Sequence, residues 1–158
     1  MDATERRSQP PQKLLVVEDD PSIQRLIAAT MRRRRFAVDV ASNGREAIEQ
    51  LVANDYAMIT LDLMMPDVSG WDVIAWLKQH PDRRPASVTV ISAGDANVFQ
   101  KVDGTVVNAV FIKPFDISVL GAYVSATVRQ PLDRRKARLI AGAIGSTARE
   151  SDAGARQG

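Results

Sequence analysis

The chain has 158 residues, of which 45% are hydrophobic and 25% are charged, and these values predict one packed domain of ordinary size rather than a disordered chain. Cysteine is absent, which excludes disulfides, zinc thiolate clusters and thiol catalysis. The formal net charge is only +2, from 21 basic and 19 acidic residues, but several acids directly follow apolar segments, a placement that indicates a cation site.

The first half of the chain alternates apolar runs with amphipathic segments. Residues 1–12 are polar and contain two prolines, which predicts a disordered leader. A helix that begins near Ser22, its predicted N-cap, follows the first apolar run. The apolar, β-branched runs predict strands at residues 14–17, 36–41 and 56–61, with a second helix at residues 44–54.

The second half continues this alternation. Strands are predicted at residues 88–91 and 109–112, and helices at residues 70–79 and 117–129. Between those two strands the chain has Gly94 and Gly104, so a fourth helix is expected to be short or irregular.

The two ends of the chain set the predicted domain limits. Residues 131–158 are rich in Arg, Ala, Gly and Ser, and we predict a basic tail there, largely disordered or with a short helix, and no output domain. The domain itself is placed at residues 13–130. No apolar stretch approaches the ~20 residues of a membrane helix and no signal-peptide core is present, so we predict a cytoplasmic protein without a membrane partner.

Five strands that alternate with helices, each strand apolar throughout, predict a doubly wound α/β fold with a five-stranded parallel sheet between two helical layers. Ligands of such sheets bind at the carboxyl ends of the strands. The polar residues that follow the predicted strands are Glu18, Asp19, Asp20, Asp62, Ser92 and Lys113. We therefore expect them to meet in one crevice.

Clustered carboxylates repel each other, and a divalent cation is the usual compensation. Oxygen ligands without imidazole or thiolate favour Mg²⁺, with Mn²⁺ as an alternative, over zinc. The Lys113 ammonium and the Ser92 hydroxyl add the groups that bind phosphate oxygens. The residues thus predict a phosphoryl site.

Four segments carry a resemblance: VVEDDPS, LDLMMPDVSGW, VISA and FIKPF. In their order and approximate spacing they resemble the receiver domain of two-component response regulators, over about residues 13–130. The resemblance implies the flavodoxin-like (βα)5 receiver fold with the sheet order 2-1-3-4-5.

The same resemblance implies roles for the site residues. Asp62 would be the phosphoacceptor and Asp19 a direct Mg²⁺ ligand. Glu18 would act nearby or through water, and the backbone carbonyl of Met64 would complete the ligands from the protein. Asp20 is then expected to be a bystander.

On the phosphoryl side, the resemblance implies that Ser92 is the switch hydroxyl, followed by Ala93 in the phosphoryl-binding segment. Lys113 would pair with the phosphoryl group, and Pro114 would follow it in a cis peptide bond. The family places an aromatic switch ring where this chain has Val110. Because adjacent strand residues face opposite sides of a sheet, Phe111 is not expected to replace that ring.

The predicted function is a phosphoacceptor switch that takes a phosphoryl group from a sensor histidine kinase or a histidine phosphotransfer protein. Such a protein assists its own phosphotransfer and turns over no separate substrate. We expect a stand-alone receiver that acts on a downstream protein. Neither Met64 nor Gly94, the positions that the family links to phosphate lifetime, can orient a water molecule, so slow self-hydrolysis is predicted.

Other interpretations stay open. A pseudo-receiver that binds partners without phosphorylation is favoured by Val110, and a phosphorylation-dependent homodimer is a further alternative. A haloacid-dehalogenase-type phosphatase needs a second Asp two residues after the nucleophile, where this chain has Met64. Sequence-specific nucleic-acid binding is not expected because no motif supports it, although the basic tail allows a sequence-independent contact.

Overall fold

Five parallel strands form the centre of the computed structural model, which describes residues 10–94 and 97–129. The strands are β1 (Lys13–Val17), β2 (Ala37–Ala41), β3 (Met58–Asp62), β4 (Ser87–Ser92) and β5 (Ala109–Ile112). Their order across the sheet is β2-β1-β3-β4-β5. The predicted doubly wound parallel sheet and its strand order are confirmed.

The helices alternate with the strands as predicted. They are α1 (Pro21–Arg33), α2 (Gly44–Ala53), α3 (Gly70–Gln79), α4 (Val98–Lys101) and α5 (Ile117–Arg129). A short 3-10 helix, Pro81–Arg83, follows α3. Helix α4 is a single turn, which agrees with the short fourth helix expected from its glycines. The predicted tail, and the leader apart from residues 10–12, lie outside the described residues.

Capping side chains fix where the helices begin. The N-cap of α1 is Asp20 and not Ser22: the Asp20 Oδ1 atom accepts the backbone N–H of Ser22 at 2.8 Å. Pro21 at the first helical position explains the shift, since its fixed φ suits a helix start and its missing N–H costs no hydrogen bond there. Asp20, expected to be a bystander of the site, therefore has a structural role.

The sheet is buried on both faces. Alternate residues of the central strands enter two separate apolar layers, so that Leu15 packs on the side of α2 and α3, and Leu14 on the side of α1 and α5. Every residue of β3 and β4 is buried. This burial explains why the central strands are apolar throughout, and it fixes their carboxyl ends rigidly beneath the site.

Among residues 10–94 and 97–129, no helix has both the length and the apolar character needed to cross a bilayer.

Candidate functional site

Three carboxylates meet where β1 and β3 end. One carboxylate oxygen from each of Glu18, Asp19 and Asp62 lies within 4.8 Å of the others. The side chain of Glu18 is 1% exposed and that of Asp62 is 3% exposed, whereas Asp19 faces solvent. A set of hard oxygen donors this close together, with an open side, fits a Mg²⁺ ion that keeps part of its water shell.

Burial makes ionisation of Asp62 costly. Desolvation, together with the nearby negative charge of Glu18, raises the pKa of Asp62 to about 7. The backbone N–H of Met64 donates to Asp62 Oδ1 at 3.1 Å and partly offsets this effect. A cation at the site would favour the ionised, nucleophilic form of this carboxylate.

Lys113 supplies a positive charge to the cluster from the end of β5. Its Nζ atom lies 3.0 and 3.1 Å from the two carboxylate oxygens of Glu18 and 3.6 Å from Asp62 Oδ2. Burial alone would lower the pKa of this ammonium group, but the hydrogen bond to Glu18 and the charge of Asp62 raise it above its ordinary value. Lys113 is therefore cationic at neutral pH. The peptide bond that joins it to Pro114 is cis.

Ser92 ends β4 between the strands that carry Asp62 and Lys113. Its hydroxyl is buried and accepts the backbone N–H of Gly94 at 3.2 Å. The Ser92 carbonyl accepts the backbone N–H of Lys113 at 2.7 Å, so these two predicted phosphoryl-binding residues are joined through the backbone. Ala93 is exposed directly after Ser92.

Two predicted positions lie beside the cluster. The Met64 side chain is 66% exposed next to Asp62. Val110 packs with the layer of α2 and α3, whereas Phe111 is buried in the opposite layer with its ring centroid 5.5 Å from that of Tyr123. Phe111 thus cannot occupy the place of a ring at position 110.

Sequence reasoning did not single out Gln24, which lies on α1 behind the acidic loop. Its side-chain amide donates to the Glu18 carbonyl at 3.0 Å. The only sequence signal for this contact was an amide side chain in the first turns of a predicted helix. The other partners of Gln24 come from the end of β2, which the local sequence around Gln24 does not indicate.

Comparison with known proteins agrees with this geometry. Residues 14–125 match the family model of the response regulator receiver domain. The chain belongs to this family. The matched segment contains all the site residues described above, so the predicted resemblance is confirmed.

The relatives of this receiver domain include longer regulators. It is 30% identical over 120 residues to the response regulator ArlR of Staphylococcus saprophyticus, which covers 75% of this chain and 53% of the relative. It is 31% identical over 118 residues to the transcriptional regulatory protein HprR of Escherichia coli, covering 75% of this chain and 52% of the relative. The chain spans about half the length of the curated relatives it matches.

Solved receiver structures share the fold. The receiver domain of the Francisella response regulator 1452 has a TM-score of 0.68 and 27% identity, covering 76% of this chain and 98% of that chain. The response regulator TrrA of Thermotoga maritima, solved in complex with Mg(2+)-BeF, has a TM-score of 0.64 and 23% identity, covering 72% of this chain and 96% of that chain. The second likeness concerns the fold alone.

Proposed function

We propose that Asp62 accepts a phosphoryl group from a phosphohistidine of a sensor histidine kinase or a histidine phosphotransfer protein. The observation that carries this proposal is a buried carboxylate that shares one crevice with two further carboxylates and the Lys113 ammonium. Receiver domains act as phosphoacceptors, and this chain has the groups that such a transfer requires.

In the proposed transfer, an oxygen of the Asp62 carboxylate forms a bond to phosphorus while the bond from phosphorus to the donor imidazole nitrogen breaks. The bonding electron pair goes to that nitrogen, so a donor ring that carries a proton on its other nitrogen leaves as neutral imidazole, and an acyl phosphate remains on Asp62. The Met64 N–H, by holding Oδ1, fixes the orientation of the carboxylate. Asp19 and Asp62, with the Met64 carbonyl and with Glu18 nearby, would hold Mg²⁺, or Mn²⁺ in its place, which when bound neutralises charge on the phosphoryl oxygens.

Lys113 and Ser92 would contact the transferred group. The ammonium of Lys113 can turn from Glu18 to a phosphoryl oxygen, since it lies 3.6 Å from Asp62 Oδ2. The Ser92 hydroxyl accepts from Gly94 and keeps its own proton, which it can donate to a second phosphoryl oxygen. Ala93, exposed next to Ser92, would add its backbone N–H.

A direct test uses the full chain with Mg²⁺ and acetyl phosphate. We expect the wild type to gain the mass of one phosphoryl group and Asp62→Asn to gain none. Asp67→Asn is a matched control, because Asp67 lies in the same loop with φ of 63°, a conformation that Asn also tolerates. This variant should be phosphorylated like the wild type. If all three proteins keep their mass and beryllofluoride leaves their spectra unchanged, the phosphoacceptor proposal fails.

That negative outcome would favour the pseudo-receiver, which binds partners without phosphorylation. Val110 in place of a switch ring and the single turn of α4 support this second candidate. The downstream protein target, the cytoplasmic location and a phosphorylation-dependent homodimer stay predictions. So does action without an appended output domain, since the chain spans about half of the relatives it matches.

A further inference from the structure

The side chain of Gln24 contacts the acidic loop between β1 and α1, which consists of Glu18, Asp19 and Asp20. The Gln24 amide nitrogen donates to the backbone carbonyl of Glu18 at 3.0 Å. It also lies 3.2 Å from the Ser42 hydroxyl and 3.3 Å from the carbonyl of Ala41. One helical side chain therefore joins the loop that carries Glu18 and Asp19 to the end of β2.

The chemistry of these partners requires an amide. Two of the three are backbone carbonyls, which can only accept hydrogen bonds, so the nitrogen of the Gln24 side chain must face them. An amide nitrogen has two hydrogens and here serves three acceptors, so one hydrogen is shared. A glutamate of the same shape has no proton to donate at neutral pH and would place its charge against the carbonyl oxygens.

The contact fixes the peptide groups on both sides of Glu18. The backbone N–H of Glu18 donates to the Ala41 carbonyl at 3.1 Å, and its carbonyl accepts from Gln24. The peptide group that precedes Asp19 is therefore restrained. Asp20, which follows Asp19, is fixed as the N-cap of α1. These bonds restrain the backbone from which the two acidic side chains extend, while Lys113 holds the carboxylate of Glu18 itself.

Mg²⁺ and Ca²⁺ differ in how strictly their binding depends on the positions of the ligand oxygens. Mg²⁺ requires near-ideal octahedral geometry at about 2.0–2.1 Å, whereas Ca²⁺ accepts six to eight ligands at about 2.3–2.6 Å in flexible arrangements. A loosened acidic loop should therefore weaken Mg²⁺ binding more than Ca²⁺ binding.

We propose that Gln24 is a positioning residue that sets the preference of the acidic cluster for Mg²⁺ over Ca²⁺ by holding the Glu18 peptide against the end of β2. The inference rests on the proposed function, because it concerns the metal that the phosphoacceptor site would use.

The test measures Mg²⁺ and Ca²⁺ dissociation constants of the full chain by calorimetry. Gln24→Met keeps the shape of the side chain and removes the donor, and we expect its Mg²⁺ affinity to fall about tenfold while its Ca²⁺ affinity falls about twofold or less. Gln79→Met, which removes an exposed amide at the far end of α3, is the matched control and should keep both constants. Partial unfolding would lower both affinities by the same factor and leave their ratio unchanged.

Gln24→Glu separates positioning from charge. An added negative charge near the cluster would strengthen the binding of both ions if electrostatics alone mattered, whereas loss of the donor should weaken Mg²⁺ binding. An unchanged ratio of the two affinities in Gln24→Met, or tighter Mg²⁺ binding by Gln24→Glu, would overturn the inference. If the wild type itself binds no Mg²⁺, the metal site of the proposed function fails together with this inference. If the wild type binds Mg²⁺ and Gln24→Met leaves the ratio unchanged, only the inference about Gln24 fails.

Discussion

At the scale of single residues, the buried cluster acts in opposite ways on the ionised forms of Asp62 and Lys113, although the two groups attract each other at 3.6 Å. Asp62 is buried beside Glu18, so its charge is unfavourable in the metal-free protein, whereas Lys113 gains from both carboxylates. The raised pKa of Asp62 means that the folded chain keeps a proton that the unfolded chain has lost. This proton links the stability of the fold to pH.

The sign of this linkage gives a prediction for Asp62→Asn. Between the ordinary pKa of 3.8 and about 7, the folded wild type binds more protons than the unfolded chain, so its stability falls as pH rises. Asn cannot ionise. In EDTA at pH 8 the variant should exceed the wild type in free energy of unfolding by up to about 4 kcal/mol, at about 1.4 kcal/mol per pKa unit, and this gain should shrink toward pH 5. Urea unfolding at both pH values measures it, and an Asp62→Asn protein less stable than wild type at pH 8 would contradict it.

A second prediction at this scale concerns the lifetime of the acyl phosphate. The exposed side chain near the proposed phosphoacceptor Asp62 is the apolar Met64. Gly94 has no side chain, so neither residue can orient an attacking water. The phosphorylated protein should lose its phosphate slowly, and Met64→Gln, which offers a carboxamide to water, should shorten the lifetime by about tenfold. The lifetimes of the wild type and of Met64→Gln are measured from the loss of radiolabelled phosphate from the purified proteins. A wild-type lifetime of seconds would rule out the expectation.

At the scale of elements, the first residue of α3 packs closely against the backbone at the end of β3. The Gly70 N–H donates to the Leu63 carbonyl at 3.1 Å, and a Cβ at position 70 would overlap the backbone carbonyl of Asp62. Backbone atoms cannot move aside as a flexible side chain can. Glycine at this position therefore lets the helix begin close to Asp62.

Gly70→Ala tests this contact. We expect the free energy of unfolding to fall by about 1–3 kcal/mol, the range for overpacking, together with reduced phosphorylation of Asp62. Gly104→Ala is the control, because among the described residues no atom lies within 4 Å of a Cβ at position 104. Equal losses in the two variants, measured by urea unfolding, would show that flexibility and not the contact is responsible.

The sequence predicted elements well where local signals were complete, and poorly where a distant partner decides. Strand β5 and helix α5 have their predicted bounds because Lys113 and Pro114 interrupt an apolar run between them. The predicted N-cap of α1 was wrong because several polar residues near the helix start can each act as an N-cap. Asp20 is the cap because its side chain accepts the backbone N–H groups of Ser22 and Ile23. Gln24 was missed because its partners at the end of β2 are 17 and 18 residues away.

At the scale of the whole molecule, the site connects strands that the sequence keeps far apart. Glu18 and Lys113 are 95 residues apart in the chain, and their ion pair spans the carboxyl ends of β1 and β5. A ligand bound between the strand ends would be held only by the folded chain. Its binding must therefore stabilise the entire domain.

Mg²⁺ should raise the free energy of unfolding by about 1.4 kcal/mol at a concentration about ten times its dissociation constant. Asp19→Asn should lose most of this increment and unfold like the wild type in EDTA, since Asp19 faces solvent. Denaturant unfolding with and without Mg²⁺ measures both effects. Equal Mg²⁺ stabilisation of the two proteins would exclude Asp19 as a ligand.

The contact of the Lys113 ammonium with both carboxylate oxygens of Glu18 has a consequence for the proposed phosphotransfer. The ammonium group offsets part of the negative charge of the crevice, which stays open to solvent at Asp19. In the proposed transfer, an incoming ion and phosphoryl group would exchange the partners of charges that are already in place. We therefore expect Lys113 to stay paired with Glu18 until a phosphoryl oxygen competes for its ammonium group.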